Sequence, residues 1–480
     1  MNYPKVFRIL GWVLVIECAF MLPALGIAFA QGESEAAHGF ILAVVIGVAF
    51  GLLLTLIPIK QEGYFARDGL VTVGLSWIAL SLVGAIPFSM SGAIPSYLDS
   101  FFETVSGFTT TGASILPEVE SLPRSLLYWR CFTNWLGGMG VLVFLLAMGS
   151  LGKDSGESLY LLRAEAPGVR VSKIVPRMRK TALILYGLYI GMSLLMFLLL
   201  LPDMPVFDAL TTTFATGGTG GFSVRNGGML EYSIYSQIIV TVFMILFSVN
   251  FSVYFLLVLG RFRMALRNEE LWVFLGLLAA ASLIIFFDIR PLFATAGEAL
   301  GSSTFTVASV MSTTGLYFGD YELWPALSRA ILLCLMFFGA CGGSTCGGMK
   351  LVRIILINKI AVRTVRRTIH PQEVRSIHMD GEALDEETVD SAGSFVLVYF
   401  LLVIALTILL SIDGQDFLTT FSSMASCLNN VGPAMGAAGP TLNYACFSGF
   451  GKLVLCFAML LGRLELYPIL MLFIPATWKK

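Results

Sequence analysis

The sequence of 480 residues predicts an all-α integral membrane protein with about ten transmembrane helices, built from an N-terminal helix pair and four related repeats. Three observations lead to this prediction. Hydrophobic residues make up 57% of the chain and charged residues only 13%, a balance that soluble proteins do not have. Apolar stretches long enough to cross a bilayer recur along the whole chain. Shorter and more polar segments lie between them at a quasi-regular spacing.

Ten apolar stretches are near or above the roughly 20 residues that a helix needs to cross the hydrocarbon core. They lie at 6–30, 39–59, 69–88, 125–150, 181–201, 232–259, 271–289, 326–357, 394–412 and 446–475. The first one follows Lys5 and Arg8 and could be mistaken for a signal peptide, but it runs too long and lacks a cleavage site of small residues. We therefore assign it to an N-terminal helix pair within residues 1–67.

Four segments between these spans are too short to cross the membrane and too apolar for free loops, so we predict re-entrant helices there. They lie at 97–112, 206–222, 296–316 and 416–432. Each begins near an acidic residue, which suits the positive end of a helix dipole, namely Asp99, Asp208, Glu298 and Asp416. With the spans on either side they define repeats at 68–152, 153–267, 268–378 and 379–480.

Each re-entrant segment ends in a cluster of Thr, Asn or Gly. The clusters are Thr110-Thr111-Gly112, Thr219-Gly220-Gly221, Thr313-Thr314-Gly315 and Asn430-Val431-Gly432, and their last glycines are 109, 94 and 117 residues apart. Glycine packing between helices is one explanation of such a cluster. The other is a ring of backbone carbonyls that replaces the hydration shell of a monovalent cation, with Thr hydroxyls and the Asn430 side chain as further oxygen ligands. Recurrence in four repeats favours the ring, and hence pseudo-fourfold units of helix, pore helix, filter and helix around one pore.

The span at 326–357 has a glycine-rich centre. Five glycines fall between residues 339 and 350, and each disfavours a helix by roughly 1 kcal/mol relative to alanine. A flexible kink or a close helix crossing would explain them. The alternative is an intramembrane loop below the filter that gates the pore. Its candidate residues are Gly339, Cys341, Gly342, Gly343, Ser344, Thr345, Cys346, Gly347, Gly348 and Lys350.

Arg463 is a charged residue inside the last predicted span. A charge at this depth is expensive unless it is paired or wetted, so it marks a functional position by default. An ion pair with Glu465 or with a carboxylate on another helix is the structural alternative. Residues two apart on a helix point in different directions, which argues against Glu465 as a partner on the same face. We therefore add Arg463 to the candidate gate.

These motifs make the sequence resemble the Trk/Ktr/HKT superfamily of K⁺ transporters, and it is most similar to the TrkH branch over essentially the whole chain. The resemblance implies K⁺ uptake through a channel-like pore, with K⁺ as the transported ion and no organic cofactor. Glycine at all four filter positions implies K⁺ selectivity, whereas a serine in the first repeat accompanies Na⁺ transport in some plant relatives. The chain departs from the usual pattern at Thr216-Gly217-Gly218, which we expect to add flexibility before the filter, and at Leu316-Tyr317.

The same resemblance implies a homodimer with one pore in each protomer. It also implies a cytosolic ring of TrkA-like nucleotide-binding regulatory subunits, and it places Arg463 in the pore just under the filter. There the arginine acts as an electrostatic barrier together with the loop. Two other functions stay open: a Na⁺-permeable or Na⁺/H⁺-coupled transporter of the same fold, and a secondary solute transporter with broken helices.

Lys and Arg residues concentrate in alternate loops, above all at 152–180 and 350–375, which places both termini in the cytoplasm. We expect a prokaryotic cytoplasmic (inner) membrane, with lipid around the spans. The charges do not form one basic face, so nucleic-acid binding is not predicted. An enzyme is not predicted either, because there is no HExxH or GxSxG motif and we expect few buried carboxylates beyond Glu17 and Glu465.

Overall fold

The computed structural model describes residues 1–58, 65–140, 178–372 and 376–479. Most of the predicted basic loop at 152–180, the predicted boundary between repeats 1 and 2 at 152/153 and the end of the span at 125–150 lie outside these residues. The described part is mostly helical, as predicted, and its one sheet pairs the two-residue strands His378–Met379 and Glu382–Ala383.

An N-terminal hairpin of two long helices, Tyr3–Gln31 and Ser34–Thr55, opens the chain. Gly32 ends the first helix with a left-handed φ of 71°, a conformation that glycine adopts without strain. The hairpin packs against the first helix of repeat 1. Its outward positions are apolar and exposed, including Phe29, Val45 and Leu53, as expected for side chains that contact lipid.

Each repeat consists of a leading helix, a short pore helix and a trailing helix. The leading helices are Ala66–Met90, Met178–Leu200, Glu269–Ile289 and Glu386–Leu410. The pore helices are Tyr97–Phe108, Val206–Gly217, Ala296–Met311 and Phe417–Leu428, at the four predicted re-entrant segments. The trailing helices begin as Arg124–Met139, Ile234–Ser248, Ala326–Met336 and Gly449–Arg463.

All four trailing helices are broken or end part-way, although the sequence predicts a break only in repeat 3. The first ends at Gly140 with a φ of 76°, and the second bends by 91° before Phe251–Val258. The third resumes at Leu351–Ile369, and the fourth resumes at Tyr467–Phe473 after two residues with positive φ. Among the described residues, six helices are long and apolar enough to cross a membrane alone, and the bent pair adds a seventh candidate. Within the described residues, the predicted spans of repeats 2 to 4 are interrupted in their trailing helices. The sequence predicts continuous spans in repeats 2 and 4 because hydropathy measures apolar length and does not detect a break in the backbone.

A carboxylate holds the start of every trailing helix. It accepts a hydrogen bond from the hydroxyl of a serine at the helix start. In three repeats it also accepts from a backbone N–H group at the helix start, which has no acceptor within the helix. The pairs are Glu33 with Ser125, Asp203 with Ser233, Asp288 with Ser328 and Asp413 with Ser448. In repeats 2 to 4 the acid follows or ends the leading helix of the same repeat, whereas in repeat 1 it comes from the N-terminal hairpin. The Ser233 and Ser236 hydroxyls lower the pKa of Asp203 below its ordinary value, so this carboxylate keeps its charge.

Candidate functional site

The four pore helices end in turns of the same backbone geometry. The first residue of each cluster is left-handed, with φ between 52° and 54° at Thr110, Thr219, Thr313 and Asn430. Two residues later each glycine also has a positive φ, of 81° at Gly112, 69° at Gly221, 68° at Gly315 and 102° at Gly432. The middle residue of each turn donates its N–H to the carbonyl five residues earlier, at 2.8 to 2.9 Å. Four segments of different sequence therefore adopt one conformation.

The four turns close into a ring in chain order. A Cβ atom on Gly112 would clash with the carbonyl oxygen of Gly220, and one on Gly221 would clash with that of Thr314. A Cβ on Gly315 would clash with the Val431 carbonyl, and one on Gly432 would lie 2.5 Å from the Thr111 carbonyl. Each filter glycine thus makes room for the middle carbonyl of the next repeat. Glycine adopts these positive φ values without strain, but only the assembled structure shows this contact between repeats.

The ring is buried, and it lies at the C-terminal ends of four helices. Thr110, Thr111, Thr219, Thr313, Thr314, Asn430 and Val431 have no exposed surface. Helix C-termini carry a partial negative charge, and backbone carbonyls are the ligands with which a protein replaces the water around a monovalent cation. The arrangement of the four turns can therefore hold a partly dehydrated cation.

Asn430 departs from the role that we expected for its side chain. We expected its amide oxygen to extend the set of cation ligands, but that oxygen accepts a hydrogen bond from Gly348 N at 3.2 Å. Its amide nitrogen donates to the Thr111 hydroxyl at 3.0 Å and to the Met459 carbonyl at 2.9 Å. The side chain therefore joins the filter to the glycine-rich loop and to the last trailing helix.

The glycine-rich stretch is a non-helical loop directly against the filter. It interrupts the third trailing helix between Met336 and Leu351. Gly347 N donates to the Thr313 hydroxyl at 3.0 Å, which together with the Gly348 contact joins the loop to the left-handed residues of two repeats. Gly343 is left-handed with a φ of 73°, and its carbonyl accepts from Phe251 N at 3.0 Å. The loop thus fills the break in the trailing helix of repeat 2.

The remaining candidate gate residues hold the loop together or attach it to that break. Ser344 donates its hydroxyl to the Cys341 carbonyl at 2.7 Å, and Lys350 donates to the Cys346 carbonyl. Cys341 N donates to Ser248 O at 3.2 Å. Gly339 lies so close to the carbonyl of Met349 that a Cβ atom would clash there. The loop is therefore a compact, hydrogen-bonded unit.

Glu270 fixes the loop at its base, and the sequence analysis missed it. One carboxylate oxygen accepts from Gly342 N at 2.8 Å and from Val352 N at 2.9 Å, so it joins both arms of the loop. The side chain is buried at the start of the third leading helix. A charge immediately before the span at 271–289 was the available signal.

Arg463 joins the loop to the filter. Its guanidinium donates to the Thr345 carbonyl at 2.7 Å and to the Thr110 hydroxyl at 3.1 Å. It also donates to the carbonyls of Gly137 and Gly138 at the end of the first trailing helix. Glu465 pairs instead with Arg353, which lies in the helix that follows the loop. Arg463 is thus held by backbone carbonyls and a hydroxyl close to the ring.

Comparison with known proteins identifies the family to which this architecture belongs. A family model described as TrkH, cation transport protein, matches residues 36–480. The chain is 34% identical to the Trk system potassium uptake protein TrkH of Halomonas elongata and 32% identical to that of Salmonella typhimurium, over 100% of each chain. The chain belongs to the TrkH family. The crystal structure of the potassium transporter TrkH from Vibrio parahaemolyticus matches this TrkH-family fold with a TM-score of 0.88, at 29% identity over 100% of both chains.

The TrkH-family chain also buries more carboxylates than the sequence analysis expected. Besides Glu17 and Glu465, the structure buries Asp68, Glu103, Asp208 and Glu270. Most of them hold backbone or charged groups: Asp68 accepts from Phe65 N at 3.0 Å, and Asp208 pairs with Arg225 at 3.1 Å. The expectation was wrong because three of these acids lie within a turn of a helix start, where a sequence suggests exposure. The relatives are named as potassium uptake or transport proteins.

The second repeat corrects another expectation for this TrkH-family member. Thr216-Gly217-Gly218 was expected to add flexibility before the filter. Gly217 instead ends the pore helix, and a Cβ atom on Gly218 would clash with the carbonyl of Asn134 in the first trailing helix. Asn134 also donates to the Gly107 carbonyl at 2.9 Å. Gly218 therefore allows close packing between repeats 1 and 2.

Proposed function

We propose that this chain is the pore-forming, channel-like subunit of a Trk-type K⁺ uptake system in the cytoplasmic membrane. The observation that carries the proposal is the closed ring in which each filter glycine receives the carbonyl of the next repeat. A ring with one conformation in four repeats gives a transported cation four similar sets of backbone oxygens. The relatives named as Trk system potassium uptake proteins support K⁺ as the ion.

The glycine-rich loop and Arg463 form the gate of this pore. Together they contact Thr110, Thr313 and Asn430, three of the four left-handed residues of the ring. The guanidinium places a positive charge beside the ring, where it repels a permeating cation. Opening requires these hydrogen bonds to break and the loop to move away.

A cytosolic TrkA-like ring controls this movement, and the pore works as a homodimer with one pathway in each protomer. The resemblance to Trk systems supports both assignments. The helix Leu351–Ile369 begins where the loop ends, and it exposes Val365, Arg366 and Arg367. A partner on this helix would act directly on the gate. The distribution of Lys and Arg supports cytoplasmic termini.

Flux measurements in liposomes test the transport function. We expect the purified protein to pass K⁺ and Rb⁺ and to select against Na⁺ and Li⁺. The variant Gly112→Ser adds a side chain against the Gly220 carbonyl, so it should lose most of the preference for K⁺. Equal permeability of the parent protein to Na⁺ and K⁺ would contradict the proposal. Saturable exchange of an organic solute would favour a secondary transporter.

The gate is tested by Arg463→Ala. We expect a higher basal K⁺ flux, because the variant removes the positive charge beside the ring and the contact with the loop carbonyl of Thr345. Arg8→Ala is a suitable control, since this arginine is exposed on the first helix of the N-terminal hairpin. An unchanged flux in Arg463→Ala, at equal protein incorporation, would rule out the gating role.

A further inference from the structure

A buried ion pair lies beside the filter on one side of the pore. Arg130 and Glu103 approach to 2.6 Å between Nε and Oε1, and their side chains are 3% and 0% exposed. Glu103 comes from the pore helix of repeat 1, and Arg130 comes from the trailing helix of the same repeat. Neither residue belongs to the filter or to the gate.

The Glu103 carboxylate accepts hydrogen bonds from the segment that follows the first filter turn. Ser114 donates its hydroxyl to Oε1 at 2.9 Å, and Ile115 N donates to Oε2 at 3.1 Å. Both residues follow the filter glycine Gly112 by only two or three positions. Glu103 therefore fixes the path of the chain immediately after the first filter turn.

The Arg130 guanidinium donates a hydrogen bond to the equivalent segment of the second repeat. Arg130 donates to the Ser223 carbonyl at 2.9 Å, and its Cζ atom lies 3.6 Å from the centre of the Phe222 ring. These residues follow the filter glycine Gly221 directly. The ion pair thus joins the segments after two neighbouring filter turns, the same two turns at which Gly112 meets the Gly220 carbonyl.

The fold itself does not require a carboxylate at this place. Glu103 lies seven residues before the left-handed residue of its repeat, and the equivalent positions hold Thr212, Thr306 and Ser423, which are also buried. Replacement of a buried ion pair by apolar residues is often neutral or stabilising, whereas loss of one partner is strongly destabilising. Stability alone therefore gives no reason for a charged pair in one repeat of four.

We propose that Glu103 and Arg130 are positioning residues that set the separation of the first two filter turns, and through it the selectivity among cations. We call this pair the brace. The inference rests on the proposed transport function. Carbonyls at a fixed separation favour the cation that they fit, and a looser ring accepts ions of other sizes. The brace makes the filter asymmetric, since uncharged residues take the position of Glu103 in the other three repeats.

The double variant Glu103→Thr with Arg130→Leu tests the brace without leaving a buried charge. We expect it to enter the membrane and carry K⁺, and its K⁺/Na⁺ permeability ratio should fall about tenfold, equivalent to about 1.4 kcal/mol of differential ion binding. The control is Glu386→Thr with Arg363→Leu, which removes an ion pair whose two side chains are 66% and 25% exposed. The control should keep the parent ratio.

If the double variant is incorporated and conducts normally but keeps the K⁺/Na⁺ permeability ratio of the parent protein, the proposed role of the brace is wrong. If the double variant does not fold, Glu103→Asp provides the test. This variant keeps the carboxylate charge but has a side chain too short to keep the same contacts with Ser114 and Arg130. A lower ratio in Glu103→Asp supports the brace, and an unchanged ratio overturns it. A parent protein without preference for K⁺ would contradict the transport function itself, and that result appears before any variant is compared.

Discussion

Single residues decide the shape of the filter through backbone conformation. Thr110, Thr219, Thr313 and Asn430 adopt a left-handed conformation that costs a non-glycine residue about 1–2 kcal/mol. At Asn430 this cost is offset by side-chain hydrogen bonds to three different segments. The glycines two positions later also have positive φ, and there the carbonyl of the next repeat leaves no space for a Cβ atom.

Gly315→Ala should therefore reduce K⁺ uptake at least tenfold, which corresponds to about 1.4 kcal/mol, because the new methyl group clashes with the Val431 carbonyl. Gly301→Ala in the pore helix of the same repeat is the matched control, since a Cβ atom there has no neighbour within 4 Å. Uptake by cells that lack other K⁺ transporters measures the effect. Similar uptake by the two variants would contradict the steric explanation.

At the scale of elements, the gate loop is held from three directions. Glu270 accepts hydrogen bonds from both arms of the loop, and the backbone around the break after Ser248 is hydrogen-bonded to its middle. On the side that faces the filter, the loop is hydrogen-bonded to Thr313, Asn430 and Arg463. A loop with so many backbone hydrogen bonds does not fluctuate freely. The proposed gating role requires it to move as a unit between an attached and a detached position.

Glu270→Ala should weaken the attached position. The variant leaves Gly342 N and Val352 N without their acceptor, and each buried unsatisfied group costs about 1–3 kcal/mol. We expect higher basal K⁺ flux in liposomes. The neighbouring Glu269→Ala is the control, because it removes only a partly exposed ion pair with Lys359. Flux at or below the parental level in Glu270→Ala would show that the carboxylate does not restrain the loop.

At the scale of the whole molecule, the N-terminal hairpin is integrated into the first repeat. Glu33, between the two hairpin helices, accepts from Arg124 N at 2.7 Å and from Ser125 at the start of the first trailing helix. In the other three repeats this role belongs to an acid at the end of the repeat's own leading helix. The hairpin therefore completes repeat 1 as well as adding two spans.

Glu33→Ala should destabilise the protein by about 1 kcal/mol, the usual effect of losing a helix N-cap. The measurement is the melting temperature in detergent. Glu35→Ala serves as the control, since Glu35 is exposed in the first turn of the next helix. A melting temperature that falls equally in both variants would mean that the cap does not stabilise repeat 1.

The sequence by itself predicted the all-α membrane class, the positions of the four pore helices and the non-helical loop at 339–350. These features follow from local quantities: apolar length, an acid at a helix start, and glycine content. The identity of the family also followed from local motifs.

Only the tertiary structure decided which groups meet. It showed the ring order of the four turns, the breaks in the trailing helices of repeats 2 to 4, the contacts of Arg463 and the ion pair of Glu103 and Arg130. These features join residues tens to hundreds of positions apart. The break after Ser248, for example, has its backbone groups hydrogen-bonded to Cys341 and Gly343 of the loop. Local pattern fixes where the chain can turn inside the membrane, whereas partners from other repeats determine how the exposed backbone groups are satisfied.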